Sequence, residues 1–506
     1  MGFCTVLSAA VTGINVEIIH VEADITNGLP VFMMVGYLSS EVKEAAERVK
    51  SAVNNTLDEF PVRNVMVNLS PVSIRKRGAV FDLPIAVSIL AADGKIRLPK
   101  EKIIFAGELG LNGDIRSVKG ILPIIIKAKE EGIKKCFIPK ANEYEGRLVE
   151  GIKIIGVSSL KEVIEILQGK KKIIDKEKVI SDIKSDDENE VDLKDIYGQE
   201  TLKRAASIAV AGGHNILITG PPGSGKTLMA KAMVGIFPPM DKNELMEVTK
   251  IYSVSGLLNE DMPYVCKRPF RYVHHTATKS AVAGGGHIPV PGEISLAHKG
   301  ILFLDELPEF KREVIEVLRE PLEEHSVLIS RGNGRYLFPA DFMLVAAMNP
   351  CPCGYYPDLN KCSCTTTEIE KYRGKLTGPF LDRIDICVET KKVDYKMLRK
   401  GEEKESSDQV REKMIEAREI QKARYKSESF DLNSRIPGNL VKKYCYLGNE
   451  EEKLMENIYN AFNITARSYH KILKVARTIA DIEKKENISC EHLMEAAAYR
   501  IDNEVK

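Results

Sequence analysis

The octapeptide Gly220-Pro221-Pro222-Gly223-Ser224-Gly225-Lys226-Thr227 constrains the fold more than any other stretch of the chain. An apolar run, 215–219, precedes it and a helical pattern, 228–234, follows it; strand, Gly-rich loop and helix in that order form a phosphate cradle. The glycines let backbone N–H groups turn inward around phosphate oxygens, Lys226 reaches the β- and γ-phosphates, and the Thr227 hydroxyl is a ligand for Mg²⁺. A second stretch, 300–306, is a short apolar run ending in Asp305 and Glu306. It reads as a buried parallel strand whose C-terminal end faces the phosphates, the place where open α/β sheets bind ligands. Asp305 is expected to hold Mg²⁺ through its water shell and Glu306 to polarise the attacking water. Together they predict hydrolysis of a nucleoside triphosphate. The chain has no Asn-Lys-x-Asp motif to read guanine, so ATP is favoured, with Tyr197 and Gly198 placed ahead of helix 200–211 to flank the base.

The 506 residues have room for about three domains. Lys and Arg total 73 against 72 Asp and Glu, so no overall basic field exists, and contact with nucleic acid must come from local patches or from a pore. No run reaches the roughly 18 apolar residues of a membrane span. The start lacks a basic leader and Val6 spoils an N-myristoylation pattern, so the expected compartment is the cytoplasm. Ten cysteines, four of them between Cys351 and Cys364, do not resemble a secreted disulfide framework.

Residues 1–168 read as an α/β unit, extended at 16–23, 31–35, 64–69, 103–109, 135–138 and 153–157, and helical at 40–54, 82–92, 122–131 and 160–167. A lysine run and then an acidic run over 169–191 predict a solvated linker, with a helical hairpin packed on the motor as the alternative. The motor spans 192–392. Within it, 284–293 is too rich in Gly and Pro for helix or strand, and is either a surface excursion or a pore loop touching a polymer, with His287 in its middle. His274, His275 and His287 read as solvated or hydrogen-bonded rather than metal-bound. Helix 310–324 precedes two β-prone runs around Arg331-Gly332-Asn333-Gly334, which make a hairpin. Arg331, Arg335 and Tyr336 at its tip could meet a phosphodiester backbone and stack on a base; a plain surface hairpin is the rival reading.

A further buried strand, 342–347, ends at Asn349, a polar group suited to orienting water at the γ-phosphate. Just beyond it, Cys351, Cys353, Cys362 and Cys364 form two close pairs that could close a tetrahedral structural Zn²⁺ site, with redox-active pairs or unliganded thiols as alternatives. Arg383, at a loop end before a strand, reads alone as a salt-bridged structural residue before an arginine finger. Residues 393–506 are helical, at 407–425, 437–444, 450–462, 465–485 and 489–499, and suggest a lid on the nucleotide; Thr465 caps the helix whose first turn carries Arg467.

This ordered set of motifs resembles, over essentially the whole chain, the competence-protein ComM (YifB) family of magnesium-chelatase-like AAA+ ATPases. The resemblance implies an α/β fold: an AAA+ P-loop αβα motor with an α-helical lid, preceded by a Lon-protease-like (ribosomal S5-like) α/β domain. It assigns Lys226 and Thr227 to Walker A, Asp305 and Glu306 to Walker B, Asn349 to sensor 1, Arg383 to the trans arginine finger and Arg467 to sensor 2. The 284–293 insert and the 327–338 hairpin match pore elements. Where Lon proteases carry their serine and lysine, this chain has Ala79 and Val80, and Leu122 and Pro123, so no protease dyad is expected. The resemblance further implies a ring, expected to be a hexamer, with ATP at subunit interfaces, and branch migration of DNA during natural transformation. A protein-remodelling or chelatase-like motor and an ATP-dependent protease are the competing functions.

Overall fold

Alternation with a period of two sorts the motor strands between two cores, which is the pattern a parallel sheet covered on both faces demands. In the computed structural model, which describes residues 2–173, 191–286, 289–331, 334–392 and 405–501, five parallel strands run in the order β11-β14-β17-β10-β18. They are β10 (Ile216–Thr219), β11 (Phe270–Val273), β14 (Ile301–Leu304), β17 (Met343–Met348) and β18 (Ile386–Glu389). Ile216, Ile218, Ile301, Phe303, Val345 and Ala347 enter one core; Leu217, Leu302, Leu304, Leu344 and Ala346 enter the other. Register places Thr219 beside Met348, and Leu304 beside Ala346. The phosphate loop, Asn349 and Asp305 therefore leave the sheet at one edge.

The first core also takes in the C-terminal helices, through Val410, Met414, Ala417, Ile472 and Val475. These helices pack on Glu200–Gly212, and the first of them, Ser407–Arg424, also packs on Lys226–Gly235, the helix that follows the phosphate loop. Asp385, immediately before β18, is half-buried there between Lys471 at 2.9 Å and His214 at 3.7 Å.

Ahead of the motor lies a seven-stranded mixed sheet, β3-β4-β2-β1-β5-β8-β9. Its strands are β1 (Gly2–Thr12), β2 (Asn15–Thr26), β3 (Phe32–Val35), β4 (Asn64–Ser70), β5 (Ile103–Phe105), β8 (Lys135–Pro139) and β9 (Lys153–Val157), with β6 (Glu108–Leu109) and β7 (Ile115–Arg116) forming a small separate ladder. The 11-residue β1 lies near the middle of the sheet and has no counterpart among the extended segments expected from sequence. Several contacts join this unit to the motor: Lys242 pairs with Glu150 at 2.9 Å, and Tyr264, with Leu245 and Met246 beside it, packs into a core shared with Ile121 and Ile125. Ser253, in the helix Lys242–Ser255, donates its hydroxyl to the buried Glu145 carboxylate and accepts from Gly120 N–H at 3.1 Å. At the β1–β2 turn, Ile14 packs into the motor's second core, where Tyr336 is also seated. Of the expected linker, residues 174–190 lie outside the described residues.

Two sequence expectations are corrected. The stretch 284–293 is not free of regular structure: β12 (Gly284–Gly285) pairs with β13 (Val290–Pro291), because backbone ladder bonds form regardless of side chain, and Gly284 can adopt its φ of +95°. The helix expected over 310–324 is two helices, Arg312–Val317 and Arg319–Glu324, with a preceding 3₁₀ turn.

The hairpin β15 (Ser326–Arg331) and β16 (Gly334–Pro339) forms as expected. At its base His325 lies against Arg435 and 3.9 Å from Asp341. Burial, and then the Arg435 charge, push its imidazole from 6.5 down to about 4. The unfolded chain thus takes up this proton at a higher pH than the folded one, and stability present above 6.5 is lost as pH falls toward 4. Asp341, despite burial, is held below the usual carboxylate range by Arg435 and Lys299, so its share is lost only in stronger acid. The melting temperature should fall between about pH 7.5 and about pH 5, and His325→Gln should flatten that slope; an unchanged slope in the variant would assign the acid sensitivity elsewhere.

Candidate nucleotide site

Where the three strands end, a cavity of about 420 Å³ is lined by 222–228, Asp305, Glu306, Met348 and Asn349. Gly223 and Gly225 have φ of +75° and +87°, the left-handed region that favours glycine. A Cβ on either would meet nothing within 4 Å, so open space, not packing, surrounds the turned backbone. Gly220 differs: a Cβ there would fall 1.9 Å from Thr390 Oγ1. Thr390 follows β18 and donates to the Ser224 hydroxyl at 2.7 Å, fastening the loop from below.

Lys226 opens the helix Lys226–Gly235 and folds back over the loop. Its Nζ donates to Gly220 O at 2.7 Å, Pro221 O at 3.1 Å and Asn349 Oδ1 at 3.1 Å. Burial pushes its ammonium below the ordinary lysine range, against the opposing pull of Asp305 and Glu306. A phosphate group would relieve that cost by bringing negative charge to the ammonium. Thr227 Oγ1 donates to Asp305 Oδ2 at 2.9 Å, which sets a hydroxyl and a carboxylate, both hard oxygen donors, side by side at the cavity wall. The pair fits a magnesium ion, and the lysine and glycine cradle fit a polyphosphate.

Glu306 has φ of +53°, an uncommon conformation for a side-chain-bearing residue, and it turns the chain sharply after β14. Its carboxylate lies 3.3 Å from His275 Nδ1. His275 follows β11, the neighbour of β14, so sheet register brings it to the acid pair. Of the two states expected for these histidines, solvated or hydrogen-bonded, His274 takes the second, bonding Thr276 at 2.9 Å, and the glutamate partner of His275 has no signal in the sequence. Gln199 is a second addition. It donates to Ser224 O at 3.2 Å and ties the Tyr197–Gly198 segment to the phosphate loop.

Arg383 and Arg467 do not line this cavity. Arg383 Nη2 lies 2.5 Å from Glu323 Oε1, and Arg467 Nη1 lies 3.2 Å from Asp382 Oδ2. Arg467 thus pairs with the residue that precedes Arg383, while Arg383 itself turns to Glu323. On the hairpin, Arg335 is exposed while Tyr336 is half-buried toward the β1–β2 turn, so stacking on a base would require it to leave that seat. His287 lies outside the described residues, and Arg331 is placed only as the last residue of β15.

The four cysteines converge: their sulfur atoms all lie within 4.8 Å of one another, a group that could hold a metal ion. A hydrogen bond from the backbone at Tyr355, chief among several, pulls the Cys353 thiol down to about 6.

A parallel sheet with this loop, acid pair and polar strand end defines a P-loop ATPase of the AAA+ class. The family descriptions agree: "Magnesium chelatase, subunit ChlI" matches residues 192–398, "Subunit ChlI of Mg-chelatase" residues 21–142, and "Magnesium chelatase, subunit ChlI C-terminal" residues 404–500. Competence protein ComM of Haemophilus influenzae is 40% identical over 506 residues, covering 99% of this chain and 98% of that protein. YifB of Salmonella typhimurium is 40% identical over 504 residues, covering 99% and 97%. The chain belongs to the ComM/YifB family of magnesium-chelatase-like AAA+ ATPases. A more partial likeness, 36% identity over 106 residues and 21% of this chain, links it to DNA repair protein RadA of Aquifex aeolicus.

Proposed function

We propose that the protein is a ring-forming motor, with six subunits as the expected number, that couples ATP hydrolysis to movement of DNA strands, including branch migration during uptake-linked recombination. The observation that carries the ring is the separation of parts: Lys226, Thr227, Asp305, Glu306 and Asn349 surround one cavity, while Arg383 and Arg467 lie outside its lining, each paired with an acid of its own. A second copy presenting its Asp382–Arg383 corner would complete the site. Bound Mg²⁺, held by Thr227 and Asp305, would neutralise phosphate charge. Lys226 exchanges its two carbonyl partners for phosphate oxygens, Glu306 leaves His275 to orient water, and Asn349 holds that water from the other side.

DNA as the polymer is supported by the exposed Arg335 on a hairpin packed beside the β12–β13 insert, and by the competence and repair names of the relatives. A second reading, a motor acting on a protein, is favoured by Leu328 and Leu337, which face each other across the hairpin at 46% and 52% exposure. An outward apolar pair grips polypeptide better than phosphodiester. ATPase rate with and without single-stranded and branched DNA at low salt separates the two. Arg335→Ala should abolish DNA stimulation and keep the basal rate, whereas Leu328→Ser/Leu337→Ser should leave stimulation intact. An ATPase indifferent to DNA sinks the first reading.

A further inference from the structure

We propose that Cys351, Cys353, Cys362 and Cys364 bind one Zn²⁺, and that the loop so closed braces Pro222 and Asn349 at the wall of the nucleotide cavity. Zn–S bonds of about 2.3 Å in a tetrahedron place sulfur atoms about 3.8 Å apart. Here Cys351 Sγ is 3.4 Å from Cys353 Sγ and 3.7 Å from Cys362 Sγ, and the latter two are 3.5 Å apart. Mutual spacing of this kind suits four ligands of one ion, and two isolated thiol pairs do not require it.

The backbone is arranged for the same purpose. Gly354, at φ of +85°, closes a tight turn with its N–H on Cys351 O at 3.0 Å. Tyr356 N–H donates to Cys351 Sγ at 3.4 Å, and N–H donors of this kind stabilise thiolate charge at a metal. Cys351 is fully buried. Binding releases a proton from each thiol that holds one, leaving four thiolates on the dication.

The loop's position gives the site a second role, which rests on the nucleotide reading above. Cys351 comes two residues after Asn349, and a Cβ on Gly354 would lie 2.6 Å from Pro222 Cδ and 3.7 Å from Asn349 Cγ. The backbone of the cysteine loop thus lies directly on the phosphate loop with no room between. Arg373 holds the other side, donating to Pro350 O at 3.3 Å with its guanidinium 5.6 Å above the Tyr356 ring. A loop held shut by metal keeps Pro222 and Asn349 in place; an open loop leaves both without that support.

The test uses the full chain purified without chelator. Elemental analysis should find about one zinc per chain, absent from Cys351→Ser/Cys362→Ser, and Co²⁺ exchange should give the absorption of a tetrahedral tetrathiolate. Stripping zinc from the wild-type protein should weaken binding of a fluorescent ATP analogue about tenfold, as small displacements of positioning groups do, and Zn²⁺ should restore it. The wild-type strip-and-restore measurement stands even where the serine variant does not fold. Absence of zinc together with no uptake on titration overturns the site. Stoichiometric zinc whose removal leaves ATP binding unchanged overturns the brace. A chain that binds zinc but no nucleotide at all refutes the nucleotide reading and leaves the metal site established.

Discussion

Glu306→Gln is expected to bind ATP with near-native affinity and to hydrolyse it about 10²–10⁴-fold more slowly, the range general-base groups contribute. The amide keeps the size of the side chain and its turn after β14, where φ is +53°, but cannot take a proton or carry the charge that orients water. Lys226 and the Thr227–Asp305 pair, which face the phosphates, are untouched. Nucleotide titration and single-turnover hydrolysis check both halves. Parallel loss of binding would mean that Glu306 shapes the cavity rather than acting on water.

Arg383→Ala should lower turnover by about 10³-fold or more while leaving ATP binding largely intact, as removal of an arginine finger does. The sharper expectation concerns mixtures. In the proposed ring, a Lys226→Ala subunit still offers Arg383 and an Arg383→Ala subunit still offers its phosphate loop. Equal mixing should therefore rebuild about one quarter of the interfaces, and activity should appear from two inactive proteins. If Arg383 served its own cavity, mixing would restore nothing. Glu323→Gln is the control: it releases the 2.5 Å ion pair, keeps the arginine, and should stay active.

The parts of the site that lie along one stretch were legible in the sequence, because their chemistry depends on spacing alone. Gly220 to Thr227 and the Asp305–Glu306 pair fall at the strand ends as expected, and sheet register adds Asn349. What was missed depends on which strands become neighbours. Thr390 reaches Ser224 only because β18 lies beside β10, and His275 reaches Glu306 only because β11 lies beside β14. The helix Lys242–Ser255 did carry a local signal, a capping box from Asp241 to Glu244, that was passed over. The two-residue ladder at Gly284–Gly285 is too short for any periodicity to show.

The amino-terminal unit touches the motor on two sides of different character: the helix Lys242–Ser255, through a buried hydrogen bond, an ion pair and apolar packing, and the hairpin side, where Ile14 and Tyr336 pack on one core. If, in the proposed motor, the hairpin shifts with each turnover, the first contact would act as a pivot and the second as a follower. The seven-stranded sheet would then tilt once per cycle of the proposed motor, and a partner fastened to its outer edge would be moved without touching the substrate.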